Sequence, residues 1–165
     1  MNIKYIFPPL FILLLATIVA TNRPSSAVAL DKGPAAFGEG QFTFFGEVVN
    51  FSFHAKLHKN GIAKGRAEFE NLSDQTKVVV DIDCLSVDTT LGASMSGTVK
   101  RSDDPAFPEA AKVLFAAIDG EGPLFPPEDQ ITPLFIFPPF PGATCHNTSP
   151  LTILPLDDGE IRVEP

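Results

Sequence analysis

Paired carboxylates are the first group in this chain with a spacing that could support catalysis. Asp81 and Asp83 lie two residues apart in the run 76–87, which is rich in β-branched residues and predicts a strand. On a strand both side chains point to one side, about 6.6 Å apart. Two carboxyl groups at such a separation can act as acid and base in glycoside hydrolysis. Two acids on a solvated strand face are the commoner arrangement, so the sequence assigns no catalytic residue.

His54 and His58 have the four-residue spacing of a zinc pair on a helix. The residues around them alternate between apolar and polar, however, which predicts a strand. At ~3.3 Å per residue the two imidazoles would lie about 13 Å apart, too far to bind one ion. We therefore expect both histidines at the surface.

Acidic turns are the other candidate for metal chemistry. Six carboxylates lie in segments rich in Gly and Pro, and calcium takes several oxygen ligands from loops of this kind. No EF-hand spacing is present, and solvated turns are the alternative. The candidate calcium ligands are Asp103, Asp104, Asp119, Glu121 and Asp129.

The N-terminal 29 residues have the pattern of a secretory signal peptide. Lys4 precedes an apolar run over 5–20, and Ala27-Val28-Ala29 is a small-x-small cleavage sequence, with a cut after Ala20 as the alternative. The run is short for a bilayer span. We expect a secreted or periplasmic protein with no transmembrane segment after removal of residues 1–29.

Export determines how the two cysteines are interpreted. Cys84 and Cys145 are the only cysteines of the chain, and exported proteins meet oxidising conditions. The pair therefore predicts one disulfide, with two buried free thiols as the alternative.

Charge and aromatic content exclude some partners. The chain has 12 basic and 20 acidic residues, and two of the basic ones, Lys4 and Arg23, lie in the leader. Such a surface repels phosphate backbones, so no nucleic acid partner is expected. Trp is absent, and Tyr5 lies in the leader. Sugar-binding surfaces rely on these two residue types, so a carbohydrate-binding module is disfavoured.

Alternating strands separated by turn residues organise the remainder. Residues 30–36 are predicted to be a disordered linker and 37–165 a single β domain. Strands are predicted at 41–45, 49–57, 63–70, 76–87, 91–100, 112–118 and 133–137, with 151–154 and 161–163 together as the last. Asn60-Gly61 is predicted as a hairpin turn, and Val78, Val80, Ile82 and Cys84 are predicted on one face. The fold class is all-β, a small antiparallel barrel of about seven or eight strands, with a β-sandwich as the alternative.

Several short motifs along the mature chain support this fold. In order they are GEGQFTF at 38–44, DIDCLSV at 81–87, SDDP at 102–105, DGEG at 119–122, PPED at 126–129 and GEIRV at 159–163. Together they resemble a family of small exported bacterial proteins, all-β by pattern, with no established activity. The resemblance implies export and an all-β fold, and it transfers no catalytic residue.

Two Phe- and Pro-rich segments are the densest apolar stretches after the leader. Their prolines suit an edge or a loop packed over a barrel end. They form either a hydrophobic plug or an exposed patch for a protein partner or a small apolar ligand. The candidate contact residues are Phe125, Phe135, Phe137 and Phe140.

These observations favour a secreted, non-catalytic β domain with a binding or structural role. It would recognise a partner or a small apolar ligand through the Phe/Pro-rich loops, without a cofactor unless calcium binds. The alternative is a secreted isomerase or hydrolase that uses carboxylates at a barrel mouth.

Overall fold

The structure is a computed structural model that describes residues 33–88, 92–121, 128–138, 145–146 and 151–165. These residues form ten strands and no helix. The strands are β1 Ala35–Phe44, β2 Glu47–Leu57, β3 Ala63–Asn71, β4 Thr76–Val87, β5 Gly92–Ser102, β6 Lys112–Ile118, β7 Gln130–Ile131, β8 Phe135–Ile136, β9 Leu154–Pro155 and β10 Asp158–Glu164.

All ten strands belong to one antiparallel sheet that curls into a half-barrel. The order is β10-β1-β2-β3-β4-β5-β6-β7-β9, and β8 also pairs with β6. The all-β, antiparallel prediction is confirmed. The predicted number of strands was too low, because the two-residue β7 was not predicted and the last predicted strand, 151–154 with 161–163, is two separate strands, β9 and β10.

The two outer strands of this order, β9 and β10, are neighbours in the chain. Only Leu156 and Asp157 separate them. The N–H of Leu156 donates to the carbonyl of Asp129 at 3.1 Å, and the N–H of Asp157 donates to the carbonyl of Gln41 at 2.8 Å. The C-terminal segment therefore runs from β7 at one side of the sheet to β1 at the other.

Hairpin connectivity sorts the turns into two sets. Each long strand runs antiparallel to the one before it, so alternate connections lie at the same end of the sheet. The β1–β2, β3–β4 and β5–β6 connections share one end, which we call the β1–β2 end. The β2–β3, β4–β5 and β6–β7 connections lie at the opposite end.

The concave face of the sheet carries the core. In β2, Phe51, Phe53 and Ala55 are buried, whereas the residues between them are exposed. The ring of Phe115 on β6 lies 5.6 Å from that of Phe53, and 5.2 Å from that of Phe69 on β3, both edge-on. These contacts span the curled sheet and fill its centre with aromatic side chains, which favour this geometry.

A β-bulge changes the predicted face of β4. Ile82 pairs with Gly97 and Cys84 pairs with Ser96, which is the next residue back along β5. Asp83 is therefore the extra residue of the bulge and has no pairing partner on β5. The prediction that Cys84 shares a face with Val78, Val80 and Ile82 was therefore wrong. After the bulge Leu85 enters the core, and Cys84 lies on the convex face.

The first strand begins earlier than the sequence indicated. Ala35 and Ala36 fall within the predicted linker 30–36, yet they open β1 and are buried. They pair with β2 on one side and with β10 on the other. The boundary between linker and fold therefore lies before Ala35.

Candidate functional site

A cavity of about 220 Å³ opens at the β1–β2 end of the sheet. It lies where the strands leave the core and enter their turns, and most of its lining is apolar. The lining residues are Phe42, Phe44, Glu47, Val49, Phe69, Asn71, Thr76, Val78, Asp104, Phe107, Pro133 and Leu134.

The strand alternation supplies most of the apolar wall. Phe42 and Phe44 are two residues apart in β1, so both side chains face the concave side. Val49, Phe69 and Val78 occupy the matching positions near the turns of β2, β3 and β4. Phe42, Phe69 and Val78 are buried, whereas Phe44 and Val49 are half-buried.

Loops complete the wall opposite these strands. Phe107 lies in the β5–β6 connection, where its N–H donates to the carbonyl of Asp104 at 3.1 Å. Pro133 and Leu134 lie between β7 and β8. Phe107 and Leu134 pack against the core while remaining half-buried. On this side the wall of the cavity is therefore formed by connecting segments rather than by a long strand.

Polar side chains lie along the cavity rim and are anchored by hydrogen bonds. Oε2 of Glu47 accepts from the Asn71 side-chain amide at 2.6 Å. Oδ1 of Asp104 accepts the N–H of Ala106 at 2.7 Å, and the Thr76 hydroxyl donates to Asp74 at 2.7 Å. The first two bonds hold the lining carboxylates of Glu47 and Asp104 at the mouth of a mostly apolar space.

Phe45 stands beside this mouth at the tip of the β1–β2 hairpin. It is 92% exposed, and its ring lies 4.3 Å from the ring of Phe44. Its φ is +51° and that of Gly46 is +84°, as a type I′ turn requires at both central residues. A bulky side chain is rarely found in this conformation.

Of the predicted Phe/Pro contact residues, Phe135 and Phe137 do not line the cavity. Phe135 lies in β8 and pairs with Leu114 of β6, and the N–H of Phe137 donates to the carbonyl of Lys112 at 2.8 Å. Both are half-buried along β6. Phe125 and Phe140 lie outside the described residues. The segment reaches the cavity through Pro133 and Leu134 instead.

The predicted calcium ligands form two separate groups. Asp103 and Asp104 follow β5 at the β1–β2 end, whereas Asp119 follows β6 at the opposite end, where Ile118 pairs with Gly92 at the start of β5. Asp119, Glu121 and Asp129 border one groove beside β10. The five candidates therefore do not converge on one site.

Within that groove, Asp119 and Asp129 bind backbone N–H groups. Asp119 is 6% exposed and accepts from Glu121 and Val163, both at 3.0 Å. No group of three or more potential metal-ligating side chains occurs among the described residues. Calcium binding by Asp119, Glu121 and Asp129 stays a prediction.

The other chemical candidates lie on the convex face. Asp81 pairs with Lys100 at 3.2 Å, and Asp83 pairs with Lys112. All four of these side chains are at least half exposed. Neither aspartate lines the cavity at the β1–β2 end. His54 and His58 are exposed, as predicted.

Cys84 and Cys145 lie at disulfide distance, with Cα atoms 6.2 Å apart. Cys145 is buried, and its carbonyl accepts the hydroxyl of Ser94 on β5. The pairing predicted from the sequence thus ties residue 145 to the convex side of β4 and β5. Such an all-β unit with a cysteine pair is compatible with an extracellular location.

Searches against protein families, curated proteins and solved structures find no match to this chain. Among the described residues, none belongs to a helix with the length and hydrophobicity of a membrane span.

Chemically, the cavity can exclude water from a small apolar group while leaving the rim wet. Sequence analysis missed Phe42, Phe44, Phe69 and Phe107 as lining residues. The sequence did contain relevant information, because each of these phenylalanines lies within four residues of a turn, and the strand connectivity brings those turns to the β1–β2 end of the sheet. Only the pairing of the strands shows that these turns meet.

Proposed function

We propose that this chain is an exported binding protein that holds a small, largely apolar ligand at the β1–β2 end of the sheet. The observation that carries the proposal is the apolar cavity of about 220 Å³ lined by four phenylalanines. We further propose that the curled sheet and its C-terminal segment close as a small antiparallel barrel around the core.

The size of the cavity supports a ligand smaller than a typical drug molecule. Pockets for drug-sized ligands measure roughly 300–1,000 Å³. An engineered apolar cavity of ~150 Å³ in another protein is large enough to bind benzene. A substituted single ring or a short branched hydrocarbon therefore matches the space at the β1–β2 end.

The packing of the core supports the placement of this ligand. Phe51, Phe53 and Phe115 fill the centre of the concave face and are each 5% exposed or less. A ligand therefore enters at the rim and stops at Phe42 and Phe69, which are buried between the cavity and the centre. The site is an end cavity rather than a lumen.

Three further observations support export. The first 29 residues have the signal-peptide pattern, Cys84 and Cys145 lie at disulfide distance, and the motifs resemble those of small exported bacterial proteins. A ligand-binding role outside the cytoplasm accounts for these three observations and for the cavity.

Binding is tested by comparing two variants of neighbouring residues in β2. Val49→Trp fills the cavity, whereas Val48→Trp adds the same side chain to the other face of the strand. In isothermal titration with toluene or propylbenzene, we expect the Val48 variant to bind like the wild type and the Val49 variant to lose binding. Equal affinities in all three proteins would overturn the proposal.

A second candidate function is catalysis at the same mouth, as the alternative sequence interpretation held. The specific observation in its favour is that Glu47 and Asp104 are carboxylates that line the cavity. Mass spectrometry of bound ligands before and after prolonged incubation separates the two functions. Recovery of unchanged ligand supports binding, and product that disappears in Glu47→Gln and Asp104→Asn supports an enzyme.

A further inference from the structure

We infer that the cavity at the β1–β2 end selects ligands that carry an ammonium group on an apolar body, and discriminates against carboxylates. This inference rests on the proposed binding function and adds the chemical class of the ligand. It is carried by the charges at the rim and by the rings below them.

Among the described residues, the charges that line the cavity have one sign. Glu47 and Asp104 are the charged residues of this described lining, and none of it is Lys, Arg or His. A ligand whose polar end reaches this rim therefore meets two negative charges. Repulsion disfavours a carboxylate there and attraction favours a cation.

These two carboxylates are also available to a ligand. On the convex face, Glu68, Asp81 and Asp83 each pair with a lysine. Glu47 and Asp104 form no ion pair with any described residue. Each uses one oxygen in an anchoring hydrogen bond, to Asn71 and to Ala106 respectively. The anchors fix the carboxylates in place, and the second oxygen of each carboxylate remains an acceptor for an N–H⁺ group.

The aromatic wall adds to the same preference. Phe42, Phe44, Phe69 and Phe107 line the space beneath the rim. A cation near the face of an aromatic ring is attracted by the negative face of the π system. The rings thus favour the hydrocarbon part of the ligand and tolerate an adjacent ammonium, whereas they offer nothing to an anion.

Three ligands with one phenyl body test the inference in the full mature chain. They are 2-phenylethylamine as the cation, propylbenzene as the neutral analogue and 3-phenylpropanoate as the anion, each titrated calorimetrically near neutral pH. From two weak charge pairs and a ring contact, we expect the amine to bind about tenfold more tightly than propylbenzene. The carboxylate is expected to bind least tightly of the three.

Two double variants with the same change of net charge complete the test. Glu47→Gln with Asp104→Asn keeps an acceptor oxygen for each anchor, and we expect it to remove the preference for the amine over propylbenzene. Asp81→Asn with Asp83→Asn changes the convex face, and we expect it to preserve the preference.

The outcomes separate the two proposals. Propylbenzene binding without a preference for the amine, or a preference that persists in the Glu47 and Asp104 variant, would overturn the inference alone. Absence of binding by all three ligands would overturn the proposed function and the inference together.

Discussion

The carboxylate of Asp129 binds the backbone of Ile161, across 32 residues of chain. Its Oδ2 accepts the N–H of Ile161 at 2.6 Å, and its Oδ1 accepts the N–H of Gly120 at 2.7 Å. Ile161 lies in β10, which pairs with β1 along its other edge. The side chain of Asp129 therefore ties the C-terminal strand to the connection that follows β6. It also provides acceptors for two backbone N–H groups that would otherwise need a partner from a further strand.

Removing this carboxylate should weaken the C-terminal closure of the sheet. We expect Asp129→Ala to lower the free energy of unfolding by about 3 kcal/mol, because two N–H groups lose a charged acceptor and each such bond contributes at least about 1.5 kcal/mol. Asp129→Asn keeps one acceptor oxygen and should lose about half as much. Urea denaturation followed by far-ultraviolet circular dichroism measures both.

The matched control for this change is Glu128→Ala, which removes the exposed carboxylate next in the chain. We expect it to leave the free energy of unfolding within about 0.5 kcal/mol of the wild type. An Asp129→Ala protein as stable as this control would show that the closure does not depend on the side chain.

The disulfide pair gives a second stability prediction. The cysteines are 61 residues apart in sequence, and a closed loop of this length restricts the unfolded chain strongly. We expect Cys84→Ser with Cys145→Ser to be roughly 4 kcal/mol less stable than the oxidised wild type. Chemical denaturation with and without reductant measures the difference, and reductant should affect only the wild type.

Ser94→Ala is the control that separates the covalent bond from its surroundings. The Ser94 hydroxyl donates to the carbonyl of Cys145, so this variant loses a hydrogen bond and keeps the disulfide. We expect a loss of about 1 kcal/mol. Two titratable thiols in the unfolded wild type, without reductant, would contradict the pairing.

Strand alternation predicted much of the fold because it reports local burial. The limits of β4 at Thr76–Val87 and of β6 at Lys112–Ile118 agree with the sequence interpretation, and so does the hairpin at Asn60-Gly61. In each of these strands the buried side chains also pair with neighbours along the chain. The local pattern of the sequence and the tertiary pairing of the strands therefore favour the same strand limits.

Features that depend on distant pairing were missed. The bulge at Asp83 arises from the register between β4 and β5, and it turns Cys84 to the convex face. Ala35 is buried because β10 lies beside it, although β10 is more than 100 residues away in sequence. The cavity has the same origin, since it combines residues from four connections that only the sheet order brings to one end.

The β1–β2 turn carries an unfavourable residue whose replacement should stabilise the fold. Phe45 adopts a φ of +51° and is almost fully exposed. Asn tolerates this conformation and is favoured before Gly in type I′ turns. We expect Phe45→Asn to raise the free energy of unfolding by about 0.5–1 kcal/mol, because the strain of a left-handed residue amounts to about 1–2 kcal/mol and part of the contact with Phe44 is lost.

Phe45→Ala distinguishes backbone strain from exposure of the ring. Alanine removes the ring yet keeps a Cβ atom at positive φ, so we expect no gain in stability from this variant. Thermal and urea unfolding of the three proteins give the comparison. A Phe45→Asn protein less stable than the wild type would mean that the ring contributes more through Phe44 than the backbone loses.

The last prediction concerns the pH dependence of stability at Glu68. This residue lies on the convex face of β3, where Lys77 and Arg66 contact its carboxylate at 2.5 and 2.8 Å. The hydrogen bond from Lys77 lowers the pKa of Glu68 below its ordinary value of 4.5, burial opposes the shift, and Arg66 reinforces it. A carboxyl group with a lowered pKa binds fewer protons in the folded state than in the unfolded state. Its stabilising contribution is therefore complete above pH 4.5 and is lost as the pH falls through the folded-state pKa.

We accordingly expect the wild type to lose more stability than Glu68→Gln when the pH falls from about 6 to about 3. The difference should be at most about 1 kcal/mol, since the pair is only partly shielded from water. Urea midpoints at half-unit pH steps measure it. Glu39→Gln is the control, because Glu39 is an exposed carboxyl of β1 with no ion pair among the described residues, and its curve should run parallel to that of the wild type. If the Glu68→Gln curve is also parallel, the ion pairs to Lys77 and Arg66 contribute nothing to folding, and the polar outer surface of β3 serves solubility rather than stability.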